Sequence, residues 1–266
     1  MASPMKGKLG KYSAISVTIF ISLMLFVVPL FSAAEYSFRG SYGQGHDFTN
    51  YLWIIQQDGF LAHLLLSVEL GALAGALNLI LMVPTITMLH LTHQRFRPIV
   101  DLICILPLMI PVVSLAIGAE VSMPSFLQNS QYELVFFFVI LALPFTYRVL
   151  DTSFGSIPLK TLVEASRSLG ASWLSTILRI ILPGAKGGIT AALFLSFALA
   201  IGEFTITQLL HWDTFPVWTV NASQQNILGA IALSVFSFIF AVVLLGVIAF
   251  TSSSRSKKEI VVEEGA

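Results

Sequence analysis

Six apolar stretches dominate the chain, near residues 13–31, 64–88, 99–119, 134–150, 185–201 and 230–251. Each approaches the roughly 17 to 25 residues that an α-helix needs to cross about 30 Å of hydrocarbon. Hydrocarbon offers no partner to a backbone N–H or C=O, so a spanning segment must bond internally, as a helix or within a closed barrel. The length of these runs and their Leu, Ile, Phe and Ala content favour helices over the short alternation of barrel strands. Composition agrees: 56% of the 266 residues are hydrophobic and 11% charged, where soluble domains carry about a quarter charged. The expected fold is an all-α membrane protein of six transmembrane helices.

Charge sets the orientation, because Lys and Arg in short loops stay in the cytoplasm. With the N-terminus inside, Lys6, Lys8, Lys11, Arg95, Arg97, Arg148, Lys160, Arg167, Arg179, Lys186, Arg255, Lys257 and Lys258 all fall at cytoplasmic ends, and Arg39 alone falls outside. The net charge of zero therefore conceals a strong asymmetry that places both termini in the cytoplasm. A competing reading makes the first run a signal peptide, with Ser32-Ala33-Ala34 as the cleavage site. That run is longer than the usual h-region of about 7 to 15 residues.

Chemistry on the chain itself is not expected. Cys104 is the single cysteine, so neither a disulfide framework nor C-x-x-C metal spacing exists. His90 and His93 lie three apart without a local Cys, Asp or Glu, which suits an interfacial polar cap better than a metal site. There is no phosphate-binding G-x-x-x-x-G-K-[ST] loop and no H-E-x-x-H or G-x-S-x-G motif. The expectation is no catalytic residue, no metal, no cofactor and no nucleic-acid partner.

Residues 151–183 form a polar insert between the fourth and fifth runs. Ser156 and Pro158 fit a helix start, since proline is tolerated in a first turn whose N–H groups lack partners. Gly170 fits the end of a helix over about 159–169, and Ser172 fits the N-cap of a second helix running to Pro183. Leu162, Leu169, Trp173, Ile177 and Ile181 recur at helical spacing and are expected to face inward, with Lys160, Glu164 and Arg167 turned elsewhere.

Within the insert, Glu164-Ala165-Ser166, Gly170, Ile180, Leu182 and Pro183 follow the pattern E-A-A-x3-G-x9-I-x-L-P, with Ser166 in place of the last Ala. This resembles the cytoplasmic loop of binding-protein-dependent ABC importer permeases of type I. The resemblance implies a six-helix permease bundle in the bacterial cytoplasmic (inner) membrane. It also implies an ATP-binding subunit docked on the loop, a second permease subunit, either a similar chain or a second copy, and an extracytoplasmic solute-binding protein. Glu164, Ala165, Ser166, Arg167, Gly170, Ile180, Leu182 and Pro183 would then form the ATPase-coupling loop. The resemblance divides the chain into 1–58, an N-terminal tail, first span and outer loop; 59–251, the transmembrane core; and 252–266, a cytoplasmic tail expected to be disordered.

Gly71 and Gly75 form a G-x-x-x-G pair that lets helices approach closely. Pro107 and Pro111 should kink or break the third span, and Pro144 the fourth. Charged groups at depth are expensive and tend to face an interior or a pathway. Glu69 and Glu203 are such groups, and Glu203 with Thr205, Thr207 and Gln208 is a candidate translocation lining, or else an interfacial carboxylate reaching water. Trp53, Trp212, Phe215 and Trp218 suit an aromatic belt.

The segments LPLMIPVVSLAIG and GEFTITQLL look most like permeases for polyamines such as spermidine and putrescine, 2-aminoethylphosphonate and ferric ion, with sulfate or thiamine as alternatives. A cationic solute would suit Glu203. Two other classes are compatible with the spans: an autonomous secondary transporter or channel, and a structural or signalling membrane subunit. Neither requires a loop of this kind.

Overall fold

A computed structural model describes residues 5–40, 45–128, 130–243 and 246. The described residues are helical apart from turns and one isolated antiparallel bridge between Arg39 and His46. The described residues group into two compact units, those within 1–58 with 219–240 and those within 59–218 with 241–266. The tail expected over 252–266 and the end of the sixth apolar run lie outside the described residues.

In the first unit, α1 (Met5–Ser37) exposes nearly every side chain from Ile15 to Phe31, including Phe20, Leu25 and Phe26. A helix apolar all round is stable only when its surroundings are apolar too. The turn after it is pinned by Asn50 of α2 (Thr49–Gln56), whose buried side-chain amide donates to the carbonyls of Ser37 and Arg39 at 3.0 and 2.8 Å. A hydroxyl pair between Ser37 and Tyr51 at 2.8 Å and an edge-on contact of Phe38 with Phe48 complete the turn. Gly229, in the last helix (residues 227–243), lies where a Cβ would strike the Trp53 ring. Trp53, expected in an aromatic belt, packs against protein.

The second unit is built on three mutually packed helices: α3 (Phe60–Leu91), α6 (Glu133–Gly155) and α9 (Lys186–Ile201). Small residues allow the approach. A Cβ at Gly71 would sit 3.1 Å from the Phe197 ring, and one at Gly75 only 2.8 Å from Leu193 Cδ1 and 3.3 Å from its carbonyl oxygen. Apolar side chains form two clusters, one around Leu70, Leu134, Phe137 and Ile206, the other around Ile86, Leu150, Phe154 and Ile181. A buried polar pair joins α3 to α6: the Thr146 hydroxyl donates to Asn78 Oδ1 at 2.9 Å, and the Asn78 amide reaches the Val139 carbonyl at 3.4 Å. Pro144 is accommodated inside an unbroken α6, so of the kink or break expected in the fourth span the break does not occur.

The third apolar run is not one helix. It divides into α4 (Arg97–Met109) and α5 (Val112–Ser122), bent by 98° at Ile110 and Pro111. Ile110 adopts φ −92°, ψ 126°, the extended conformation that a following proline ring imposes. Pro107, by contrast, is carried within α4. Four helices among the described residues are long and apolar enough to cross a membrane, and five if the bent pair counts as one. The described part of the sixth run, residues 227–243, is a shorter apolar helix.

Candidate coupling site

The insert expected from residue 151 begins inside α6, which runs on to Gly155, and beyond it folds into α7 (Leu159–Ser168) and α8 (residues 173–184). Gly170 makes the turn at φ +81°, a conformation that costs a residue with a Cβ about 1 to 2 kcal/mol. The Gly170 N–H donates to the Arg167 carbonyl at 3.0 Å and the Ala171 N–H to the Ser166 carbonyl at 3.1 Å. These are the two bonds of a Schellman motif, which satisfies carbonyls orphaned at a helix end. Ser172 then caps α8, its Oγ accepting from the Ser175 N–H at 3.3 Å. Along Ile177–Ile181 the helix widens to a π-turn. Pro183 supplies no N–H to the Arg179 carbonyl, and such a bulge accommodates the missing bond.

Burial in α7 differs from the expected face. Leu159, Val163 and Ser166 are buried, while Leu162 is exposed and Leu169 is 89% exposed. Trp173, Leu174 and Leu178 are also exposed, and of the expected inward residues only Ile181 is fully buried, with Ile177 packed beside it. The insert thus presents an apolar surface (Leu162, Leu169, Trp173, Leu174, Leu178) next to the exposed Glu164, Ala165 and Arg167. Ile180 and Leu182 are half-buried, and Pro183 is exposed.

Ser166, the departure from the Glu-Ala-Ala pattern, sits in the buried seam between the two loop helices. Its Oγ lies 2.9 Å from Thr176 Oγ1, and the Thr176 hydroxyl donates to the Ser172 carbonyl at 3.0 Å. Ser166 is accordingly the donor to Thr176, and both buried hydroxyls are satisfied.

At the other end of α9, Gly202 and Glu203 interrupt the helix before α10 (Thr205–Leu209). The Glu203 carboxylate turns back onto its own chain. It accepts from the N–H groups of Thr205, Ile206 and Thr207 at 3.0 to 3.3 Å and lies 3.3 Å from the Thr207 hydroxyl. The first N–H groups of a helix have no internal partner and favour negative charge beside them. Thr207 is buried, whereas Thr205 and Gln208 are exposed. Glu69 accepts from the Tyr132 hydroxyl at 3.0 Å, a different contact from the Glu203 group.

Four polar contacts link positions too distant in sequence to be paired by reading it. The Trp212 indole N–H donates to the buried Glu133 at 2.6 Å, and Phe215 is buried as well, so both aromatics are engaged within the protein. Trp218 stacks on His63, whose Nδ1 lies 2.6 Å from the Asp213 carbonyl. At the loop end, Asp151 is paired with His90 at 3.0 Å and with Arg97 at 2.6 Å. His93 meets Thr92 instead of sharing a ligand with His90. No group of three or more metal-ligating side chains occurs among the described residues.

The family model for the binding-protein-dependent transport system inner membrane component matches residues 80–258. A probable molybdenum ABC transporter permease of Haloferax volcanii is 34% identical over 51% of this chain and 54% of its own length, so the match spans about half of that relative. The probable transport system permease NifC of Clostridium pasteurianum is 26% identical over 85% of this chain and 82% of its own. A bacterial ABC transporter that imports the acidic polysaccharide alginate shares the fold, with a TM-score of 0.61 over 94% of this chain and 98% of that one at 16% identity.

Proposed function

The chain belongs to the family of binding-protein-dependent transport system inner membrane components, and from that premise we propose that its loop is where a separate ATP-binding subunit drives it. It is a permease subunit of an ABC importer, a multi-pass inner-membrane protein with a transport role. On this reading two permease subunits, like or unlike, enclose the route, and an extracytoplasmic binding protein delivers the solute. The carrying observation is the exposed apolar face of Leu162, Leu169, Trp173, Leu174 and Leu178 beside Glu164 and Arg167. A water-exposed apolar patch rimmed by charge marks a protein partner. Its seat on a turn fixed by Gly170 makes the patch rigid enough to transmit a push.

The solute that fits best is an oxyanion of the molybdate kind. Support comes from the molybdenum named for the Haloferax relative and from Glu203, whose charge is engaged by the α10 N–H groups. The resemblance of two segments to polyamine, 2-aminoethylphosphonate and ferric-ion permeases, with Glu203 as a fit for a cation, pointed elsewhere, but the Haloferax relative is named for molybdenum.

Glu164→Arg tests the docking reading. The tagged chain purified from its native membrane in mild detergent is expected to bring an ATP-binding subunit with it, and the variant to lose that subunit while keeping the same yield of folded permease. Absence of an ATPase with the unaltered chain would refute the docking reading.

A further inference from the structure

We propose that Asp151 is a positioning residue of the transport cycle: its carboxylate clamps the loop-bearing ends of α3, α4 and α6 into one body, so that movement of α7 reaches three helices together. The proposal rests on the importer reading above and adds to it the path from the docked loop into the bundle.

Asp151 sits one turn before the end of α6, and each of its two carboxylate oxygens is taken by a different helix. Oδ1 meets His90 Nε2 of α3 at 3.0 Å, and Oδ2 accepts from Arg97 at 2.6 Å, the first residue of α4. The His90 and Asp151 side chains are 11% and 12% exposed. A charge held this far from water needs partners in place, and charge-assisted bonds of this length are the strong ones. A second tie, Arg148 of α6 to Asp101 of α4 at 3.1 Å, repeats the α4–α6 link.

The clamp is also continuous with the loop. The His90 ring packs on Phe154 at 6.4 Å between centroids, and Phe154 belongs to the same buried cluster as Leu159 and Val163 of α7 and Ile181 of α8. Close-packed interiors transmit displacement instead of absorbing it. A push on α7 therefore moves the end of α6, and Asp151 hands that motion to α3 and α4. Without the carboxylate, α6 loses its polar link to His90 and Arg97, and the Arg148–Asp101 tie and apolar packing remain to carry the motion less tightly.

The test uses the complex purified through the tagged chain, with spin labels on Ile99 of α4 and Thr152 of α6. Both positions are exposed, and the native Cys104 is buried and does not compete for label. The unaltered clamp should give one narrow label distance, with and without ATP and vanadate. Asp151→Asn, which keeps the volume and removes the charge, should broaden it at least about twofold in the trapped state while ATP hydrolysis stays within about twofold, and Asp151→Glu should restore it. A narrow distribution in Asp151→Asn under ATP and vanadate would overturn the clamp. So would broadening that is already full without nucleotide and that Asp151→Glu leaves unrepaired, since that is a folding defect. Should Asp151→Asn fail to fold, Arg97→Gln at a 45% exposed side chain is read in the same way. An unaltered complex that does not hydrolyse ATP overturns the importer reading itself, and it does so before any variant is made.

Discussion

Ser166 shows how a departure from a motif can be a local solution. The family pattern has alanine there, and a serine buried in a helix seam would leave an orphan hydroxyl without Thr176 2.9 Å away. Ser166→Ala should cost about 0.5 to 1.5 kcal/mol, the net worth of one hydrogen bond, because Thr176 retains the Ser172 carbonyl as its acceptor. The loss would appear as a lower melting temperature of the purified chain, and Ser166→Leu should be worse because it overfills the seam. Gly170 and Ser172 were legible in the sequence because turn and cap chemistry is local. The buried face of α7 was not, since Leu159 and Val163 four apart are as compatible with a helical stripe as Leu162 and Leu169 seven apart, and periodicity cannot say which stripe meets the core. Asp151 was visible as the first residue of the insert, yet its partners lie 54 and 61 positions away and nothing local names them.

Helices are positioned here by what they lack as much as by what they carry. Without Cβ atoms at Gly71 and Gly75, α3 seats against Phe197 and Leu193 of α9. Association of helices in lipid draws on this kind of close packing because the hydrophobic effect contributes nothing between apolar surfaces there. Gly75→Val would press on the Leu193 side chain and its carbonyl oxygen and cost about 1 to 3 kcal/mol, the usual range for overpacking. Thermal unfolding in detergent would register it, and a paired Leu193→Ala should recover part of the loss if the clash is with the side chain. Pro111 acts by a missing N–H and by forcing Ile110 into extended backbone, which is why α4 and α5 part at that point. The prolines announced irregular backbone in the sequence, but not which of them breaks a helix. Pro107 and Pro144 are carried inside theirs, and at Pro144 the intact helix is accompanied by the buried Thr146–Asn78 bond from the residue two positions on.

The chain as a whole exposes many large apolar side chains and, on the reading proposed above, carries a docking loop and half of a solute route. Glu203 is where the charge of that route can be tested. If its carboxylate faced a passing cation, removing the charge would alter which solute moves. If it serves the start of α10, as its bonds to Thr205, Ile206 and Thr207 indicate, the effect falls on stability. Glu203→Gln keeps one acceptor oxygen and should lower stability by about 0.5 to 2 kcal/mol, the range for a weakened N-cap. The choice between molybdate and spermidine in vesicles carrying the purified complex should stay unchanged, with molybdate entering and spermidine not. Spermidine uptake by the unaltered complex that collapses in Glu203→Gln would return this residue to the route and the polyamine to first place. The two outcomes separate cleanly because a cap defect changes the melting temperature whatever the solute, whereas a pathway charge changes selectivity at constant stability.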